Sequence, residues 1–264
     1  MAGEIRGLYV YPVKGLSAQE LPHVTLEAGR GVPHDRSFAL ARPGGTYTPG
    51  LTEPLPKTQF LMLARDAALA GYRTHFDPET GILRADRDGQ TVLSADLTTD
   101  DGAASATTFF ARALGLSTPP VLARGAANGT GTDRRFTDVS VKSDAMMNAV
   151  SLVNLASVRA LSDRLGMPLD PLRFRANLYF DGLPAFSERD LVGEEITIGG
   201  LRLRGVLATK RCAATEVNPD TAERDIDLPR RLNEEFGHIE MGMYAEVVGG
   251  GTVRPGDVID YPVS

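Results

Sequence analysis

The chain contains one cysteine, Cys212, and the residues around it are the ones best suited to chemistry. It stands in the run Thr209-Lys210-Arg211-Cys212-Ala213-Ala214-Thr215, with Asn218-Pro219-Asp220 close behind. Cations that face a thiol favour the thiolate and lower its pKa from about 8.5. A thiolate is both a nucleophile and a soft metal ligand, and the same cations suit an anionic cofactor. The competing reading is a buried small hydrophobe, a common fate of a free cysteine. Composition and spacing alone favour that second reading.

Other basic groups lie far away in sequence. In Arg173-Phe174-Arg175-Ala176-Asn177, two arginines at i and i+2 would share one side of an extended segment, and Asn177 could add an amide contact. Arginine suits phosphate because its fork donates two parallel hydrogen bonds; solvated arginines at a strand start are an equal alternative. Tyr11-Pro12-Val13-Lys14-Gly15 puts a lysine after a strand-like run, and His34-Asp35-Arg36 adds a charged turn. Lys14 and Arg36 could clamp a phosphate, although each alone also fits an ordinary surface. Gly44-Gly45 lacks the strand, glycine spacing and lysine of a Walker loop.

Several chemistries find little support. The four histidines, His23, His34, His75 and His238, show no metal-motif spacing, and one cysteine cannot build a cysteine-rich zinc site. A cofactor that brings most of its own metal ligands is the more economical metal hypothesis. A cysteine hydrolase would need a base beside Cys212, and no local signature supplies one. Met146-Met147 and Met241-Gly242-Met243 read as core filling, and Glu188-Arg189-Asp190 and Glu194-Glu195 as solvated charged runs.

The elements that must position these residues are mainly strands. Ile5 to Val13, Arg36 to Ala41, Phe60 to Ala64, Leu69 to Phe76, Gly81 to Asp86 and Thr91 to Ala95 have strand composition and are broken by turns such as Asp77-Pro78-Glu79-Thr80-Gly81. Ser105 to Gly115 reads as a helix capped by Ser105, Leu155 to Gly166 as a second and Arg230 to Gly237 as a third. Ala176 to Phe180, Glu195 to Ile198, Leu201 to Val206 and Tyr244 to Val248 are further strands, with Gly199-Gly200 as a tight hairpin. Repeated βα units are absent, which disfavours Rossmann and TIM-barrel folds. The fold class is therefore mainly β with α elements. A boundary near residue 95 separates modules 1–95 and 96–264, with a cut near 125 almost as well founded.

The 264 residues carry a net charge of -6, which argues against a nucleic-acid partner. No apolar run reaches about 18 residues and no signal core opens the chain, so the expectation is a cytoplasmic protein without a membrane partner.

Taken in order, Tyr11-Pro12-Val13-Lys14, Asp35-Arg36, Phe136-Thr137-Asp138, Ser151-Leu152, Arg173 to Asn177, Arg211-Cys212 with Asn218-Pro219, and Gly256-Asp257-Val258 resemble the MOSC-domain family. The likeness includes its N-terminal β-barrel module and extends over nearly the whole chain. It implies a MOSC β-barrel fold preceded by a smaller β-rich module. It also implies the molybdenum cofactor, with Cys212 as the protein ligand to the metal and the pterin supplying a dithiolene. By the same resemblance Lys14 and Arg36 hold the pterin phosphate and Arg175, Asn177 and Arg211 position the cofactor, with Arg173 and Thr209 as further candidates. Pyridoxal phosphate binding is another label the resemblance carries.

The implied reaction is reduction of N-hydroxylated compounds or sulfoxides by oxygen-atom removal, with Cys212 anchoring and tuning the metal. A cofactor carrier or a persulfide-based sulfur-handling protein is the alternative. The implied partners are a small-molecule substrate and a separate electron-donor protein, since one cysteine cannot hold an iron-sulfur cluster. Gly15 stands where reductase members have serine, Ala176 where they often have proline, and the chain has no tryptophan.

Overall fold

The computed structural model describes residues 3–51, 53–125, 134–139 and 141–260. Seven strands close into a barrel in the order Leu178–Asp181, Val150–Asn154, Glu240–Gly249, Leu201–Lys210, Glu195–Ile198, Val258–Asp260 and Gly3–Val10, which pairs back onto Leu178–Asp181. Closure leaves no free edge among these seven strands. The barrel draws strands from both sides of residue 95, because its closing strand is Gly3–Val10.

Alternation fills the interior. Along Leu201–Lys210, Leu201, Leu203 and Gly205 are buried while Arg202 and Arg204 face solvent. The inward set joins Ile5, Leu8, Val150, Leu178, Phe180, Ile196 and Met243 in one apolar cluster. One neighbouring pair, Val150–Asn154 and Leu178–Asp181, is parallel. A parallel pair needs a long crossover, and the helix Leu155–Leu165 supplies it, stopped by Gly166 at φ 66°. Its buried Val158 and Leu161 pack with Leu228 and Leu232 of the helix Leu228–Phe236, which ends at Gly237.

The N-terminal module is an antiparallel meander of Arg73–Phe76, Ile82–Arg87 and Gln90–Asp96, followed by the helix Asp100–Ala113. Phe38–Ala41 pairs separately with Val121–Arg124. These elements enclose a second apolar cluster that includes Leu61, Leu69, Leu83 and Phe110.

Several local expectations need correction. The first helix begins at Asp100 rather than near Ser105, because Thr99 caps it by accepting from Gly102 N at 3.1 Å. Asp100 and Asp101 then lie in the first turn, where the helix dipole favours them. Phe60 to Ala64 is no strand; Phe60 alone bridges Ala41, and Ala67–Gly71 forms a 3₁₀ turn ahead of the strand at Arg73. The first strand stops at Val10, where the next amide, Tyr11 N, leaves the ladder and donates to Asp35 Oδ1 at 2.9 Å. Of the loop assigned to Gly125 to Gly131, residues 126–131 lie outside the described residues. The strands Val121–Arg124, Val150–Asn154 and Val258–Asp260 escaped the sequence reading.

Candidate functional site

A cavity of about 370 Å³ lies between the N-terminal module and the barrel, and its lining brings together Lys14, Arg36, Arg173, Arg175, Asn177, Thr209, Arg211 and Cys212. That volume is in the range of pockets that enclose a small organic ligand. All eight singled-out residues therefore share one concavity, although they come from segments up to about two hundred positions apart.

Beside the cavity, two of the lining guanidinium groups pack on one buried tyrosine ring. Arg36 and Arg175 each place their guanidinium carbon 4.4 Å from the centroid of the Tyr11 ring. Both take left-handed backbone conformations, Arg36 at φ 48° and Arg175 at φ 53°, a strain that tends to cluster at functional sites. Arg36 is tied down by an ion pair to Asp35 and by donation from Nη2 to Arg175 O at 2.9 Å. Arg175 is different, since its guanidinium has no hydrogen-bond partner among the described residues. Burial pulls its pKa below the ordinary arginine value, and burial lifts the Tyr11 hydroxyl to about 12.

The Arg173 to Asn177 segment does not act as an extended pair of forks. Pro171–Phe174 is a 3₁₀ turn and Arg175 caps it, so the two arginines diverge. Arg173 is buried and spends its fork on Asp225, with Nη1 to Oδ1 at 2.7 Å and Nη2 to Oδ2 at 2.5 Å. Nη1 also reaches Glu216 O at 3.2 Å, so Arg173 braces the loop after Cys212. Asn177 accepts from Ser151 Oγ at 2.9 Å and donates to Tyr9 O at 3.2 Å, locking the start of its strand to two neighbours.

Lys14 is buried in the lining and donates to Phe136 O at 3.0 Å and to Asp138. Burial draws its pKa down against the pull of Asp138. Asp138 also accepts from Lys57 Nζ at 3.0 Å. Burial on its own would raise the Asp138 carboxyl, but Lys14 and Lys57 hold it well below the usual carboxylate range.

Cys212 stands one residue beyond the end of the long strand Leu201–Lys210, after Arg211, and opens the 3₁₀ turn Ala213–Glu216, where Thr215 N and Thr215 Oγ1 donate to its carbonyl. The cation on its sulfur is Lys57, whose Nζ lies 3.8 Å from Sγ. Neither sequence neighbour makes that contact. Lys210 is exposed, and Arg211 donates to Met241 O at 2.7 Å and to Phe174 O at 2.9 Å while stacking over Phe174. Lys57 was missed because it is 155 residues from Cys212 in a Pro-rich loop with no local signature. Burial lowers its pKa, but Asp138 and then Cys212 outweigh this and the net shift is upward.

Two further groups bear on the site. Thr209 Oγ1 is buried in the lining with no hydrogen-bond partner among the described residues. Glu188, read from sequence as part of a solvated run, is fully buried and accepts from Ser157 Oγ at 2.9 Å and Gly242 N at 3.0 Å. Gly15, in the lining, sits at φ 85°, a conformation that costs any L side chain and so favours glycine over serine here. The cavity thus offers a soft sulfur, an arginine fork with unused donors and an orphaned hydroxyl. This set fits a ligand that combines a thiophilic metal with an anionic group.

Comparison with known proteins matches both parts of the chain. The MOSC N-terminal beta barrel domain matches residues 2–118 and the MOSC domain matches residues 132–260. Mitochondrial amidoxime-reducing component 1 of Xenopus laevis is 27% identical over 139 residues, covering 48% of this chain and 40% of that protein. Mitochondrial amidoxime reducing component 2 of Rattus norvegicus is 29% identical over 122 residues, covering 42% of this chain and 36% of that protein. The matched region thus spans well under half the length of these relatives. Among solved structures, the YuaD protein of Bacillus subtilis aligns over 98% of this chain and 94% of its own, at 15% identity and a TM-score of 0.45. With one matched domain supplying Lys14, Arg36 and Lys57 and the other supplying Arg175, Arg211 and Cys212, the chain belongs to the MOSC-domain family.

Proposed function

We propose that this chain is a molybdenum-cofactor-dependent reductase that removes an oxygen atom from N-hydroxylated compounds or sulfoxides. MOSC domains are associated with molybdenum-cofactor binding, and the observation that supports the reading is the cavity that Cys212 shares with two donors lacking a partner among the described residues, Arg175 and Thr209. Cys212 would be the protein's sulfur ligand to the metal. Lys14 and Arg36 would hold the phosphate, Arg175 and Arg211 would position the cofactor, and Asn177, Arg173 and Thr209 would shape its seat. When bound, the cofactor supplies a two-electron redox centre and an oxygen-accepting position.

The chain's own residues do the rest. Lys57 donates to the sulfur and so offsets negative charge at the ligand, the kind of outer contact that tunes a metal site. Asp138 holds Lys57 and Lys14 in place from between them. In the net reaction an N-hydroxylated substrate takes up two electrons and two protons, its N–O bond breaks, and amine and water leave. The electrons come from a separate donor protein, for which a reduced viologen can stand in.

Protein expressed in cells that make the cofactor should carry molybdenum and pterin near one per chain. Cys212→Ser should lose the metal while keeping the circular dichroism spectrum of the folded protein, because a neutral hydroxyl replaces thiolate poorly. Repeated absence of both metal and pterin overturns the proposal. Cofactor binding without reduction of benzamidoxime by reduced viologen overturns the reductase reading in favour of a cofactor carrier.

A further inference from the structure

The cavity is far more basic than the chain that surrounds it. Eight lysine and arginine side chains line it against two carboxylates, in a protein of net charge -6. Most of the eight are spent. Lys14 and Lys57 share Asp138, Arg36 is paired with Asp35, Arg173 with Asp225, and Arg211 with two backbone carbonyls. Arg175 is buried against Tyr11 and belongs to the interior of the cavity.

Two cations remain, and both are at the solvent side. Lys142 and Lys210 are exposed, line the same cavity, and have no side-chain partner among the described residues. Lys210 lies opposite Glu240 in the strand pair, but that carboxylate is held by Arg189 Nε at 3.1 Å. Among the described residues the mouth therefore presents two ammonium groups without a partner, above an interior in which Arg175 alone of the cations has no hydrogen-bond partner. An entering molecule meets them first.

We propose that the physiological substrate carries a carboxylate alongside its reducible N–O or S–O bond, and that Lys142 and Lys210 hold this carboxylate at the cavity mouth. The inference rests on the reductase reading and narrows its substrate class. Lysine suits the task, since a flexible point charge accepts an anion in many geometries and leaves the reacting end free to reach the centre that Cys212 would anchor. Clustered like charges at a cleft also raise the local concentration of an oppositely charged substrate.

The test compares benzamidoxime with 4-carboxybenzamidoxime on cofactor-loaded protein, with reduced viologen as electron source. The carboxylate compound should have kcat/KM about fivefold higher at low ionic strength, the size of two partly screened ion pairs, with the advantage shrinking as salt is added. In the double variant Lys142→Gln, Lys210→Gln the ratio of the two kcat/KM values should fall to near one. Equal kcat/KM for the two compounds in the unaltered protein, or a ratio unmoved in the double variant, overturns the inference while leaving the reductase reading intact. Reduction of neither compound overturns the reductase reading. Calorimetric titration with the two amidoximes then reads the carboxylate preference without turnover, and equal affinities overturn it.

Discussion

Removing the carboxylate of Glu188 isolates the support behind Arg211. Glu188 is 0% exposed and accepts one hydrogen bond from Gly242 N and one from Ser157 Oγ, which itself accepts from Phe186 N at 2.7 Å. The peptide that donates to Glu188 joins Gly242 to Met241, whose carbonyl accepts from Arg211 Nε. Glu188→Ala leaves two buried donors unpaired at about 1–3 kcal/mol each, and a small void adds about 1 kcal/mol. A loss of about 3–7 kcal/mol follows, or about 6–28 °C in Tm for a chain of this size. Glu188→Gln keeps an acceptor for Gly242 N and can donate to Ser157 Oγ, so it should stay within about 1 kcal/mol of the unaltered protein.

The pH dependence separates the two roles of this carboxyl, acceptor and charge. Burial raises the Glu188 pKa above its ordinary 4.5. The folded chain then binds a proton that the unfolded chain has already released, and stability falls as pH climbs from about 4.5 through the folded value. Glutamine has no such proton, so Glu188→Gln should gain on the unaltered protein across that window. Urea unfolding of the three proteins between pH 4 and pH 8 measures both effects. A Glu188→Ala protein within about 2 °C of the parent, or a Glu188→Gln difference curve that is flat with pH, refutes the reasoning.

Two other substitutions probe the frame of the cavity. Gly242→Ala forces a side chain into φ 76° and brings Cβ to 2.4 Å from Leu152 O and 2.8 Å from Arg211 Nη2; thermal melting should show a loss of about 2–5 kcal/mol from the left-handed conformation and the overpacking together. Arg173→Ala leaves a buried void and takes the charged donors from Glu216 O and from Asp225, which is solvent-accessible and keeps Asn218, and should cost about 2–4 kcal/mol. In a double-mutant cycle by urea unfolding, Arg173→Ala with Asp225→Ala should cost clearly less than the sum of the two single losses; strict additivity would show that the pair does not act as a unit.

What the sequence discloses and what it hides divide by range. The hairpin at Gly199-Gly200 and the helix stops at Gly166 and Gly237 depend on a few adjacent residues, and they stand where their chemistry puts them. The closing of the barrel by Gly3–Val10 depends on pairing with strands more than 170 residues away, which no local pattern encodes. The strand Val150–Asn154 is buried on both faces and so lacks the alternation that marks a half-exposed strand. Glu188 shows the same limit for side chains. Its neighbour Arg189 is only partly buried and Asp190 is exposed, and the run reads as solvated until the Ser157 hydroxyl and Gly242 amide arrive from distant elements.

The candidate site follows the same logic with one difference. Lys14, Arg36, Arg175, Arg211 and Cys212 could be singled out because each stands in a motif, yet the partners that set their roles stand outside those motifs. Lys57 rather than Lys210 touches the sulfur, and Asp225 rather than a ligand takes the fork of Arg173. A basic cavity in an acidic chain is costly unless its charges are compensated, and most of these cations come with a carboxylate or carbonyl partner from another element. The exceptions then carry the information. Among the described residues Arg175 and Thr209 are unspent in the interior and Lys142 and Lys210 at the mouth, the order expected if the proposed cofactor is held inside and the proposed carboxylate substrate comes and goes outside.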